Sequence, residues 1–416
     1  MRKSLLVLCA VLVLPMLGAR RRVAVPQGPT FNREIVRIFQ QHCQTCHRPG
    51  DIAPFSLLTY RDAAARALEI KVMTRTRQMP PWKAAEGCGD FVGVRTMSNE
   101  EIAMVAAWAD AGAPEGAASD LPAALTFSDS WALGAPDLTL SMPKSFTPPA
   151  DRDEYRCFSL PTNAAQDVWV SAIDFRPGDR GTVHHIVPYL DPSGSSAKLD
   201  KDGNGYQCFG GPLITNVEPQ VIGAWSPGAR ATPLPSGTAV RIPKNSRVVM
   251  QVHYHPHFGK VAPDRTEMGF YVAKEEVRKQ MHYDFVANDE LFIPAGAADQ
   301  KVEAFASLPI GIEIVSIYPH MHLLGKRMSI EAVLADGTKI CMIDVPKYEF
   351  NWQGAYVYRT PLQLPKGAQI RIEAHYDNSA ENLNNPYNPP RDVRWGEAST
   401  DEMCLAMVGY TTADGN

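Results

Sequence analysis

From about residue 137 onward the chain is written in short apolar runs cut by turn residues, and this rhythm restricts the fold more than any other feature. Runs at 167–173, 247–254, 311–319 and 368–376 are rich in β-branched and aromatic residues and are bounded by Pro, Gly, Asn and Asp. Much of the punctuation comes from 34 prolines and 30 glycines among 416 residues. Their number and spacing predict antiparallel sandwiches rather than alternating β and α elements. The stretch is longer than one sandwich needs, so two jelly-roll-like sandwiches are expected, over 137–285 and 286–416, with the split near 283–295. No repeat of solenoid period is present.

The part before this reads differently. Ile35, Ile38, Phe39 and His42 fall at helical spacing, and a second helical stretch is expected from about Tyr60 to Thr74. A third starts at Ser98, where Ser-x-x-Glu with Glu101 forms a capping box, and stops at Gly112 and Pro114. A small all-α domain is therefore expected over 30–115, followed by an Ala/Gly/Pro/Ser-rich linker over 116–136. At the very start, Arg2 and Lys3 precede an apolar run from Leu5 to Leu17 that ends in Gly18 and Ala19, as in an export signal over 1–22. Arg20, Arg21 and Arg22 keep an uncleaved anchor open as the rival reading. Export places the protein in the periplasm or outside the cell, where thiols pair. A formal charge of −4 provides no basic field, which disfavours nucleic acid as a partner.

Cys43-Gln44-Thr45-Cys46-His47 is the strongest local motif. Two thiols three residues apart reach the two vinyl groups of one haem, and the adjacent His47 reaches its iron. A disulfide or half a zinc site is the plainer alternative, but no second Cys pair at zinc spacing follows. The other axial ligand is assigned to Met79, in a loop stiffened by Pro80 and Pro81, with Met73 as runner-up. The stretch, including its Trp-Ala-Asp-Ala-Gly-Ala-Pro end, resembles class I cytochrome c domains. One covalent haem c with Met/His ligation has no open position and implies electron transfer.

Several of the 11 histidines are clustered. His184 and His185 are adjacent; His253, His255 and His257 alternate; His320 and His322 form His-x-His. On a strand, residues two apart share a face, so His320 and His322 can hold one metal. Adjacent His184 and His185 point apart, and both reach one ion only at a strand end or bulge.

Here the chain resembles the copper type II ascorbate-dependent monooxygenases, over roughly residues 137–412. The resemblance rests on His184-His185-Ile, Gln251-Val-His253-Tyr, His320-Met-His322-Leu-Leu-Gly and Thr400-Asp-Glu-Met403-Cys404. It implies two coppers facing each other across a solvent-filled cleft. His184, His185 and His253 would hold the electron-relay copper in the first sandwich, and His320, His322 and Met403 the oxygen-activating copper in the second. Imidazoles suit copper in either oxidation state, and a thioether favours Cu(I). His255 either supplements or replaces His253, while His282 and His375 match no ligand position.

Departures from the family bear on the substrate. Where the peptide-amidating branch has an Arg, an Asn and a Tyr that hold a peptide carboxylate, this chain has Tyr318, Leu405 and Met407. The resemblance thus implies a small, less polar substrate rather than glycine-extended peptide. Ala374 stands at the position of the partner that Cys404 has in the family; Cys341 is offered as the partner of Cys404 instead, which would leave Cys88 over, and Cys157 and Cys208 are expected to pair. The resulting expectation is an exported copper-dependent monooxygenase that hydroxylates a C–H bond with O2. Electrons would pass from the haem to two coppers, with ascorbate or a redox protein as external donor. Two other classes stay open: a non-catalytic electron-transfer or copper-binding protein on the same scaffold, and a cytochrome tethered to a β binding module.

Overall fold

The computed structural model describes residues 28–127, 131–255 and 261–413. The apolar N-terminal run with Cys9, and His257, lie outside the described residues. β-Sheet is the predominant regular structure of the described residues, with a few short helices near their start.

The helical part is built on a wide turn, Phe31–Ile35, leading into helix Val36–His42, with further helices Tyr60–Ala64, Ala67–Arg75 and Asn99–Asp110. The stretch expected to be one helix from Tyr60 is broken at Ala65 and Arg66 into two short ones. The capping box forms: Glu101 N donates to Ser98 Oγ, and Ser98 N donates to the Glu101 carboxylate. Phe31, Phe39 and Trp108 pack edge-on at the centre, and Trp108 Nε1 donates to Pro114 O at 3.1 Å. That bond satisfies a polar group that burial would otherwise leave without a partner.

In the first sandwich one sheet runs Leu138–Ser141, Glu267–Val272, Val168–Arg176, Thr238–Ile242, Lys279–Gln280 in spatial order. The other runs Tyr206–Gln207, Glu154–Pro161, Arg247–Tyr254, Val183–Asp191, Gln220–Val221. Along Arg247–Tyr254, Val248, Met250, Val252 and Tyr254 enter the core between the sheets. The period of two then sends Val249, Gln251 and His253 to the opposite face, and that face is buried as well.

The second sandwich pairs His282–Ala287, Leu405–Thr412, Ile312–His320 and Tyr356–Leu364 in one sheet. Gln300–Ser307, Gln369–Tyr376, Gly325–Val333 and Lys339–Val345 form the other. Gln300–Ser307 alternates buried and exposed as a strand with one wet face should. Ile312–His320 is buried on both faces. Ile314 and Ile317 both point into the second core although they are three residues apart, and a register shift between Ile314 and Ser316 accommodates the odd spacing. The shift turns Val315 and Tyr318 away from that core; Val315 joins the first sandwich's core instead. By the same alternation His320 follows Tyr318 to the side facing the first sandwich.

Residues between the second and third helical stretches do not stay with the helices. Trp82, Ala84 and Phe91 pack into the second sandwich's core, and Ala85 N and Val92 N donate to Asp344 O and Val357 O. Cys88 is bonded to Cys341, which corrects the expected Cys341–Cys404 pairing and accounts for the thiol left over. Cys404 is a buried free thiol, and Cys157 pairs with Cys208 as expected. The Cys88–Cys341 link spans 253 residues of sequence. Substituting both cysteines by serine is expected to lower stability by about 2–5 kcal/mol, the usual range for a native disulfide. Urea unfolding of the double variant checks this, and an unchanged midpoint would show that the non-covalent packing of Trp82 and Phe91 suffices.

Candidate metal centre

The Val183–Asp191 strand pairs with Arg247–Tyr254 so that His185 stands opposite His253, and the register slips between Val183 and His185. His184 is the extra residue of this bulge. The irregularity that two adjacent histidines need in order to reach one ion is therefore present. The ligating atoms of His184, His185 and His253 lie within 4.8 Å of one another. His253 Nδ1 is 3.1 Å from His185 Nε2, and Tyr155 stacks on the His253 ring at 4.1 Å between centroids. His185 Nδ1 is buried without a hydrogen-bond partner.

His320 ends its strand, opposite Leu405, and His322 follows just beyond the strand. His320 Nδ1 is hydrogen-bonded to Gln353 Oε1, and Gln353 is itself fixed by donating to Phe350 O at 3.0 Å. His322 Nδ1 donates to Asp401 O at 3.2 Å. Each ring thus has Nδ1 tied back and presents Nε2, the arrangement that orients imidazole ligands toward a metal. Burial pushes His320 down to about 4 and His185 and His322 well below the usual histidine range, so these rings are neutral, as ligands must be.

Met403 is buried and reaches the same neighbourhood through its neighbour Glu402. The Glu402 carboxylate is fully buried and accepts N–H groups from His322 at 2.8 Å, Leu324 at 2.6 Å and Met403 at 3.2 Å. Burial pushes this carboxyl up to about 8, against the pull of the backbone donors. One carboxylate therefore clamps the His322 turn to the Met403 segment.

The two clusters do not stand apart. The His185 and His320 rings are 6.1 Å apart between centroids. Phe350 stacks on His184 at 4.5 Å and meets the His322 ring at 6.0 Å. With His253 1% and His320 9% exposed, the solvent-filled cleft that the family resemblance implies is here a closed, buried contact. The large cavity lies elsewhere, with a volume of about 1690 Å³. Cys43, Cys46, His47 and Met79 line it on the helical side, and Tyr318 and Met407 line it on the second sandwich. Tyr318 and Met407 are paired in register and packed with Val221, giving this wall a largely apolar surface.

The residues of the Cys-x-x-Cys-His motif fit a covalent haem. Both thiols are free, and His47 Nδ1 is 3.2 Å from Phe55 O, which leaves Nε2 for iron. Met79 and Met73 both line the cavity, so either thioether is within the same space. The two His clusters fit copper on their donor chemistry: neutral, oriented imidazoles in both, with a thioether segment beside the second. His282 stacks on Tyr410 and His375 sits between Asp299 and Glu373, both away from the clusters.

Sequence reasoning missed Asp153, Phe350 and Gln353, and it read Glu402 only as a flanking residue. His253 Nε2 lies 3.2 Å and His255 Nδ1 2.6 Å from the two Asp153 carboxylate oxygens, and the Ser399 hydroxyl also donates to that carboxylate. Burial raises the Asp153 carboxyl, but these partners outweigh it and hold the group well below the ordinary range. None of these residues lies in a local pattern; each arrives from a loop brought in by tertiary packing.

Comparison with known proteins gives one informative match. Residues 281–414 match the sequence model of the copper type II ascorbate-dependent monooxygenase, C-terminal domain. Among solved structures, the major capsid protein P2 from bacteriophage PM2 is 9% identical with 67% of this chain and 99% of that chain covered, at a TM-score of 0.26. The VP2 subviral particle of infectious bursal disease virus is 11% identical with 71% and 75% covered, at a TM-score of 0.20. Neither likeness is close enough to carry an argument. No curated protein matches the chain. The second sandwich, with His320, His322 and Met403, is thus similar to the C-terminal domain of the copper type II ascorbate-dependent monooxygenases, a family of oxidoreductases.

Proposed function

We propose that the protein is an exported, copper-dependent monooxygenase that hydroxylates a C–H bond of a small, largely apolar substrate and receives electrons through a c-type haem on the same chain. The observation that carries this reading is the family match over 281–414 on a domain whose His320 and His322 are buried, neutral and tied back at Nδ1. His320, His322 and Met403 would hold one copper, His184, His185 and His253 the other, and Cys43, Cys46, His47 and Met79 the haem. Copper supplies O2 activation and single-electron transfer when bound.

The chain's own residues do the rest. Gln353 and Asp401 O fix the two imidazoles of the second cluster, and Glu402 holds the His322 turn against the Met403 segment. Phe350 fills the space between the clusters and keeps water out. Tyr318 and Met407 give the cavity an apolar wall with one phenol, which suits an uncharged substrate better than a carboxylate. Two disulfides fit an oxidising compartment, and among the described residues no helix is long and apolar enough to cross a membrane.

Metal analysis and EPR of wild type against Met403→Ala test the reading. Wild type is expected to carry two type 2 copper signals with substrate-dependent O2 consumption. Met403→Ala, which would remove a ligand outright, is expected to lose that consumption by at least about a hundredfold, the upper end of what losing a residue that only orients a ligand costs. Copper binding with no O2 consumption across a panel of apolar substrates would instead favour a non-catalytic electron-transfer protein. Haem reduced with dithionite should be reoxidised faster with copper loaded than without it.

A further inference from the structure

His253 stands between two sets of ligand atoms. On one edge of its ring, Nδ1 lies 3.1 Å from His185 Nε2, and His184 completes that set. On the other edge, Nε2 lies 3.2 Å from Asp153 Oδ2. The donor atoms of Asp153, His253 and His255 also fall within 4.8 Å of one another. The two nitrogens of an imidazole point in different directions, so these sets occupy different sides of one ring. Asp153 precedes the Glu154–Pro161 strand and His255 follows the Arg247–Tyr254 strand, and these two strands pair along their whole lengths. Residues at one end of that pair are thereby placed together. His253 is buried and Asp153 and His255 are half-buried, so the cluster lies at the edge of the closed contact.

We propose that Asp153, His253 and His255 form a further metal site that shares His253 with the His184/His185 set. One carboxylate and two imidazoles suit a divalent ion of borderline softness, Zn²⁺ or Cu²⁺, and the charge of Asp153 offsets part of the ion's own. With both edges loaded, His253 bridges two ions, and the remaining ring proton is released to solvent because a ligating nitrogen carries none. The Ser399 hydroxyl, donating to Asp153, ties the site to the loop that leads to Met403. The inference goes beyond the proposed function and does not need it, since Asp153, His253 and His255 remain together whether or not His320 and His322 hold copper.

Metal titration of the full-length protein tests this. Metal-stripped wild type, Asp153→Asn, His255→Ala and His320→Ala are loaded with Zn²⁺ alone and then with Cu²⁺ alone, and bound ions per chain are counted. Asp153→Asn and His255→Ala are each expected to bind one ion fewer than wild type, or to bind that ion at least tenfold more weakly. Equal ion counts and affinities in wild type, Asp153→Asn and His255→Ala would overturn the proposal and leave Asp153 as a hydrogen-bond partner that orients His253. Should Asp153→Asn fail to fold, His255→Ala alone decides. Failure of the proposed function has a different signature: His320→Ala would then bind as many ions as wild type, while the Asp153 and His255 variants would still lose theirs.

Discussion

Replacing Glu402 by alanine is expected to destabilise the protein by roughly 3–5 kcal/mol, because buried N–H groups left without an acceptor cost about 1–3 kcal/mol each. The carboxylate accepts the N–H groups of His322, Leu324 and Met403, and no water reaches the residue to take over. Removing a group whose charge burial already opposes returns part of that loss, which is why the sum stays below three full penalties. Glu402→Gln should fall between: its single carbonyl oxygen can serve His322 and Met403 at the Oε2 position, but its amide N–H₂ then faces the Leu324 N–H, donor against donor. Urea unfolding gives the order wild type, Gln, Ala. The alanine variant should also lose one copper signal with His320, His322 and Met403 all intact. Equal stability of all three proteins would mean that the His322 turn finds its acceptors elsewhere.

The second large effect concerns the haem. Under the proposed function, a Cys43→Ala/Cys46→Ala variant is expected to contain no covalently attached haem, since both thiols that would form the thioether bonds are removed while the cavity is kept. Acid–acetone extraction followed by pyridine haemochrome spectra distinguishes bound from extractable haem. The single variants are expected to hold haem through one bond, with the spectrum shifted accordingly. Haem still resistant to extraction in the double variant would sink the assignment, and wild type free of haem after export in a maturation-competent host would do the same. His47→Ala removes the imidazole whose Nδ1 is held at Phe55 O, and it should alter the axial ligand field without preventing attachment.

Much of the architecture was legible because local signals and burial agree. The strand runs near 167–173, 247–254, 311–319 and 368–376 appear at Val168–Arg176, Arg247–Tyr254, Ile312–His320 and Gln369–Tyr376. The Ser98 capping box is read directly from Ser-x-x-Glu. At His184 and His185 the sequence states a geometric demand, a bulge or strand end if two neighbours are to reach one ion, and a bulge is present there. The Cys88–Cys341 pair was not legible. Nothing local relates residues 253 positions apart, and the loop that carries Cys88 belongs by packing to a sandwich that starts far downstream. The closed contact between the two His clusters was hidden for a similar reason. Period-two alternation says which face a histidine takes, but the meeting of His185 with His320 depends on how two sandwiches dock. Gln353, Phe350 and Asp153 escape notice because a residue that meets a histidine from a distant loop needs only the right atom at the right place, which leaves no spacing to detect.

The strap from Trp82 to Val92 is bonded to the second sandwich through Cys88; under the proposed function it would also set the molecularity of electron delivery. A carrier that arrives by diffusion works at a rate proportional to its concentration and sensitive to ionic strength. A carrier stapled beside its acceptor stays at a fixed effective concentration, of the millimolar order typical of short linkers or higher. In the wild-type protein the internal transfer step should therefore be first order, unchanged on hundredfold dilution and little affected by salt. Reduction and opening of Cys88–Cys341 would loosen that arrangement, so the redox state of the compartment would govern how directly the two halves of the chain communicate.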